Sequence, residues 1–289
     1  MRSDAGAFVP PTASLSTPRR QPGLQRRVRG RSLSVMCRMA GYVGQALRVG
    51  EIVSAPPHSL LVQSYRPREM QSGTVNADGY GAAMWLDDGH PEPALYRTAV
   101  PIWADLNQRW MNERLVARSL IAAVRSATPG VGFEVANVQP FAHGRVAFTH
   151  NGFITDFRHG AQRAIRERLG RDAYESIEGS SDSEHIFALV LEGTGGLADA
   201  VRVALARLDS VCGALDRTAV ATLLLGDGEQ LVGARWARGV APATLYWAPF
   251  RDGVCLASEP LDGSRWKEIP PGHLAVARPG QDLRLEALR

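Results

Sequence analysis

Four short stretches of this 289-residue chain carry side chains able to act on an acyl group. The first is Met36-Cys37-Arg38. A cysteine directly behind an initiator methionine becomes, once that methionine is removed, one residue with both a thiol and a free α-amine. In reference peptides the amine titrates at about 7.7–8.0 and the thiol near about 8.5. At neutral pH the amine can therefore take the thiol proton, directly or through water, so that one residue serves as nucleophile and base. A small buried strand residue is the plainer reading, since cysteine is among the most buried residue types. The second stretch, His150-Asn151-Gly152, reads as a turn behind an apolar strand. There the Asn151 amide and the Gly152 N–H can converge on one oxyanion, although Asn-Gly is also the common dipeptide of a plain tight turn. The third, Val124-Arg125-Ser126-Ala127-Thr128-Pro129-Gly130, ends another strand with a guanidinium whose fork suits a carboxylate; an exposed surface arginine is the alternative. The fourth is Asp182 in Ser181-Asp182-Ser183-Glu184, where local helix capping competes with binding an ammonium group. Asn76-Ala77-Asp78-Gly79-Tyr80-Gly81 adds two glycines that permit close backbone approach.

The elements that must position these groups follow from pattern. Arg38–Gly44 and Leu60–Ser64 read as short extended pieces, and Gly79–Leu86 as a strand ending at the Asp87-Asp88-Gly89 turn. Leu120–Val124 and Val146–Thr149 are apolar runs that fit buried strands ending in polar residues. Phe157, Ala161, Ile165 and Leu169 predict one helix over Thr155–Leu169, with Arg163, Arg166 and Arg168 on its other face. Ser181 to Glu184 has the form of a capping box opening a buried helix, and Leu197–Leu208 repeats a helical stripe. Ala219–Leu225 and Gln230–Ala234 predict a hairpin about Asp227-Gly228, and Thr244–Trp247 with Val254–Ser258 another about Asp252-Gly253. No repeat or Pro/Gly-rich linker divides residues 36–289, so one layered α+β domain is expected.

Residues 1–35 differ from the rest. They hold seven arginines against one acid, Asp4, and cannot bury enough apolar surface to offset the entropy of ordering. A disordered basic leader is expected there. It reads as a transit segment, as a nucleic-acid-binding tail, or as sequence upstream of a true start at Met36; the last is preferred because pattern, turns and motifs all begin at Met36. The leader also accounts for the basic balance: the whole-chain charge of +4 becomes −2 over residues 36–289. A fold without a basic face argues against a nucleic-acid partner. No apolar run is long enough for a membrane span. Three widely spaced cysteines, Cys37, Cys212 and Cys255, show no zinc-type spacing, and a cytoplasmic protein without metal is expected.

Taken in order, Met-Cys-Arg, Asn-Ala-Asp-Gly-Tyr-Gly, Val-Arg-Ser-Ala-Thr-Pro-Gly, His-Asn-Gly and Ser-Asp-Ser-Glu resemble the class II glutamine amidotransferases, N-terminal-nucleophile hydrolases with a four-layer αββα sandwich. Leu61–Met70, Pro101-Ile102-Trp103, Gln139-Pro140-Phe141 and Asp182–Ala188 look more narrowly like the branch that acts in ergothioneine biosynthesis, whose members remove glutamate from γ-glutamyl-hercynylcysteine S-oxide. The resemblance implies Cys37 as nucleophile, Asn151 and Gly152 as oxyanion hole, Arg125 on the α-carboxylate of a small-molecule γ-glutamyl substrate and Asp182 on its α-ammonium. It implies no metal and no organic cofactor. A histidine usual shortly after the arginine is replaced here by Thr128-Pro129-Gly130. Trp103, Tyr65, Arg66 and Tyr80 are candidates for an aromatic wall facing a trimethylammonium group. A glutaminase subunit passing ammonia to a separate synthetase, and a non-catalytic protein docking through its leader, are the competing expectations. A homo-oligomer is among the expected partners.

Overall fold

The computed structural model describes residues 37–69, 75–127, 132 and 134–288; the leader 1–35, Met36 and Thr128-Pro129-Gly130 lie outside the described residues. The chain forms β1 (Arg38–Arg48), α1 (Gly50–Val53), α2 (Leu60–Tyr65), β2 (Tyr80–Trp85), β3 (Ala94–Thr98), α3 (Leu106–Arg114), β4 (Val116–Val124), β5 (Phe141–His143) and β6 (Val146–Ile154). Helices α4 (Gln162–Arg166), α5 (Arg171–Glu175), α6 (Asp182–Leu191) and α7 (Leu197–Ala214) follow. Strands β7 (Ala219–Gly226), β8 (Leu231–Arg238), β9 (Tyr246–Phe250), β10 (Gly253–Ala257), β11 (Lys267–Glu268), β12 (His273–Ala277) and β13 (Arg284–Ala287) complete it. One sheet has the order β11-β9-β10-β1-β4-β2-β3 and the other β13-β12-β8-β7-β6-β5.

Strand alternation explains the layering, because successive side chains point to opposite faces. In β1, Ala40 and Tyr42 join Ile52, Val53, Leu60 and Met111 of α1–α3 in one core. Met39 and Val43, from the other face, meet Leu224, Leu231 and Ala275 of the second sheet. In β6, Phe148 and Ile154 pack with Ile186, Leu189 and Val201 of α6 and α7, while Ala147 faces the first sheet. Helix, sheet, sheet and helix thus stack as the expected αββα sandwich. β1 is the middle strand of its sheet, held along most of its length by β10 and β4.

Three local expectations are corrected. Leu60–Ser64 is the helix α2, not a strand; a run this short carries no usable period, and Leu60 is buried under the first sheet. His150-Asn151-Gly152 does not turn but continues β6, because β7 pairs with it through Ile154↔Ala219. The helix expected over Thr155–Leu169 is broken: Asp156 and Gly160 take φ of 49° and 108°, and the regular helix is only Gln162–Arg166. Gly160 accepts a conformation that side-chain-bearing residues resist. The capping box is half formed. Ser181 Oγ accepts from the Glu184 N–H at 3.2 Å, but the Glu184 carboxylate accepts from the N–H groups of Glu178 and Gly179 instead.

Candidate active site

Cys37 immediately precedes the ladder of β1, whose pairing with β4 begins at Arg38↔Val124. Its Sγ lies 3.8 Å from the Ser126 carbonyl, on the chain just beyond β4. Ser126 in turn donates through Oγ to Val75 O at 3.2 Å. Burial pushes the thiol up, and the hydrogen bond to Ser126 and the charges of Arg125 and Arg38 only partly oppose it. A thiol so placed keeps its proton at neutral pH and needs a base to become a nucleophile.

Arg125, 5% exposed, is fixed by carbonyls: Nη2 donates to Gly132 O at 3.0 Å and Nη1 to Asp78 O at 3.4 Å. The Asp78 carboxylate is turned aside, accepting from the Ala127 N–H at 2.7 Å. The main chain ties the two segments together, Asp78 N donating to Arg125 O and Arg125 N to Gly79 O. Carbonyls orient the guanidinium without cancelling its charge, which leaves it available to an anion. Asp182, the first residue of α6, accepts from the Ser183 N–H at 2.8 Å through Oδ1 and from the Ile154 N–H at 2.9 Å through Oδ2. It is thereby locked to the end of β6.

The edge of β6 facing away from β7 explains the arrangement. β5 covers only Val146–Phe148, and beyond it the side-chain amide of Gln139 takes the place of a strand residue. Its Oε1 accepts from His150 N, and its Nε2 donates to His150 O at 3.0 Å. Four residues further, the N–H of Ile154 goes to Asp182. Alternation turns the Gly152 N–H to the same side, into the gap between them. A Cβ at Gly152 would lie 2.0 Å from Val220 O and 2.5 Å from His150 Nε2, so no side chain fits there. His150 is itself a fixture. Nε2 must donate to the Val220 carbonyl at 2.9 Å, leaving Nδ1 to accept from Ser183 Oγ at 2.9 Å. Burial pushes its pKa down, in keeping with a neutral ring.

Cys37, Arg125, Gly152 and Asp182 line one cleft with Ser126, Asn137, Gln139, His150, Ser181 and Ser183. Asn151 is not part of that wall. Its side chain is wholly buried, and neither amide atom has a hydrogen-bond partner among the described residues. A buried amide without partners is costly unless something else occupies it. Sequence reasoning missed Gln139, Ser183 and the structural role of His150; Gln139-Pro140-Phe141 was a visible motif, but its mate lies 11 residues away across the sheet edge. Of the proposed aromatic wall, Tyr80 is fully buried against Tyr96, while Tyr65 and Trp103 pack edge to face on the surface at 6.4 Å; neither they nor Arg66 line the cleft. Among the described residues no His, Cys, Asp or Glu group is disposed to hold a metal ion, and no helix is long and apolar enough to cross a membrane.

Two antiparallel sheets between helical layers, with the cleft at the head of a central strand, are the architecture of the N-terminal-nucleophile hydrolases. The chain belongs to the class II glutamine amidotransferases, whose family description, "Glutamine amidotransferases class-II", matches residues 57–252. Among solved structures it resembles a glutamine aminotransferase class-II domain protein from Silicibacter pomeroyi, with a TM-score of 0.66, 24% identity and coverage of 88% of this chain and 100% of that one. It also resembles the glutamine phosphoribosylpyrophosphate amidotransferase of B. subtilis, with a TM-score of 0.60 and 17% identity over 88% of this chain and 49% of that one. These two likenesses concern the fold. The gamma-glutamyl-hercynylcysteine sulfoxide hydrolase of Mycolicibacterium smegmatis is 34% identical over 244 residues, 84% of this chain and 96% of that protein. The protein of the same name from Mycobacterium tuberculosis is 33% identical over 241 residues, 83% of this chain and 91% of that one.

Proposed function

We propose that this chain hydrolyses the γ-glutamyl amide of γ-glutamyl-hercynylcysteine S-oxide, with Cys37 as nucleophile once Met36 and the residues before it are absent. The observation that carries the reading is the convergence of Cys37, Arg125, Gly152 and Asp182 in one cleft from four separate parts of the chain. Similarity to the mycobacterial hydrolases along most of both chains supports the substrate.

In this mechanism Arg125 receives the α-carboxylate of the glutamyl head and Asp182 its α-ammonium, which aligns the γ-carbonyl over Cys37. The α-amine of Cys37 takes the thiol proton, and the thiolate attacks the carbonyl carbon. The Gly152 N–H holds the oxyanion, and the Asn151 amide, which lies outside the cleft wall and has no partner among the described residues, completes the hole by turning toward it. When the C–N bond breaks, the amine returns its proton to the departing nitrogen, leaving a γ-glutamyl thioester. Water, deprotonated by the same amine, then displaces the thiol and releases glutamate.

Incubation of the purified protein with a γ-glutamyl thioether conjugate and, separately, with glutamine tests the reading by glutamate release. The conjugate should be the better substrate by kcat/KM. Comparable turnover of glutamine would favour the ammonia-supplying subunit, and no release from either would favour a non-catalytic protein.

A further inference from the structure

A nucleophile at a chain terminus is a mechanical problem, because chain ends fray unless something ties them down. Cys37 lies outside the β1 ladder. Its main chain is reached instead by its own neighbour: Arg38 folds back and donates through Nη1 to Cys37 O at 3.0 Å. The same guanidinium lies with Nε 2.8 Å from Glu259 Oε1. That contact is an ion pair and not an aligned hydrogen bond, since the Nε–H is not directed along it. Both residues are fully buried.

Glu259 collects three further donors. Oε2 lies 2.6 Å from His58 Nε2 and accepts from the Arg68 N–H at 2.9 Å, and Oε1 accepts from the Glu69 N–H at 3.1 Å. Its neighbour Ser258 clasps Met39, with Ser258 Oγ 3.1 Å from Met39 N and Ser258 N 2.9 Å from Met39 O. The register Ala40↔Ala257 therefore extends past the end of the ladder through 39/258 to 38/259. Donors to Glu259 hold its carboxylate below the usual range despite its burial. Removing two charges from water costs several kcal/mol per ion, and an apolar pair of similar volume commonly does as well for stability. A buried ion pair next to the cleft cysteine is thus poorly explained by stability alone.

We propose that Arg38 and Glu259 are positioning residues that fix the main chain of Cys37, so that its sulfur and terminal amine keep one orientation toward the carbonyl under attack. This rests on Cys37 being the nucleophile. Neither residue lines the cleft. Glu259 also anchors the main chain just after α2, through the N–H groups of Arg68 and Glu69.

Arg38→Lys is the direct test, because an ammonium keeps the charge but cannot reach both Glu259 and the Cys37 carbonyl with a planar fork. In protein expressed from the full sequence, with the terminal residue of each preparation read by mass spectrometry, kcat should fall by about 100-fold while KM stays within about twofold. Glu259→Gln should give the same split when activity is expressed per folded molecule, the folded fraction being taken from urea unfolding. An Arg38→Lys protein with kcat within about twofold of wild type, or a Glu259→Gln protein with wild-type kcat per folded molecule, overturns the inference. Cys37→Ala separates the two readings. If it stays active, the nucleophile itself is misassigned; if it is dead while Arg38→Lys turns over normally, only the positioning role fails.

Discussion

For Cys37 the deciding quantity is where a proton sits. Burial outweighs the pull of Arg125 and Arg38, so the thiol stays protonated until a base removes the proton. Serine in its place offers a hydroxyl that the same base deprotonates far less readily. Cys37→Ser should lower kcat by on the order of 10³-fold or more without altering the unfolding midpoint, as followed by glutamate release and circular dichroism. Arg125 poses a geometric question instead. Two carbonyls orient its fork, and a lysine amine would present one point charge to a carboxylate that wants two parallel hydrogen bonds. Arg125→Lys is expected to raise KM about tenfold or more with a smaller change in kcat; equal KM values in steady-state assays would remove Arg125 from substrate binding. The sequence offered Cys37 and Arg125 as candidates beside plainer readings, and the fold brings the two into one cleft. Glu259 was not legible there, because its meaning lies in His58, 201 residues away, and in main-chain donors that no pattern announces.

At the scale of elements, β6 and α6 form one device. β6 supplies Gly152, α6 supplies Asp182, and the Ile154 N–H joins them. Gly152→Ala would push a methyl into Val220 O and His150, so β6 must bow away from β7 or the cleft must deform. The expected result is loss of turnover together with destabilisation of about 1–3 kcal/mol, read by urea unfolding. α6 also builds in a pH dependence. His185, facing Ser181 O and Arg166 Nε, is pushed down to about 4 mainly by burial. An unfolded histidine takes its proton near about 6.5. Between those values the unfolded chain binds the extra proton, so stability present above pH 6.5 declines as pH falls and stops declining near pH 4. His150, pushed down by burial in the same direction, adds to the slope. His185→Gln should flatten stability against pH across that window by no more than about 3 kcal/mol, measured by unfolding at several pH values. Sequence pattern located α6 and β6 but mistook the end of β6 for a turn. Asn-Gly is ambiguous until the opposing strand is known, and β7 lies about seventy residues further on. The break at Gly160 escaped for a related reason: apolar spacing stays helical across a kink.

For the whole molecule, the sandwich makes one end of the two-sheet core the meeting place. The cleft draws on the head of β1, the end of β4, the edge of β6 and the start of α6, which share no sequence neighbourhood. The layered class was visible in the order of strands, helices and strands; which strands would lie side by side was not, since β1 pairs with β10 from the far end of the chain. If the mechanism holds, the active species begins at Cys37. Intact-mass measurement of protein from the native host should find that terminus, and an active species retaining Met36 would exclude the amine as base. The central place of β1 has a practical corollary. On the proposed mechanism, a purification handle or fluorescent partner fused ahead of that strand would put an amide in the place of the Cys37 amine. Handles belong at the other end, after edge strand β13.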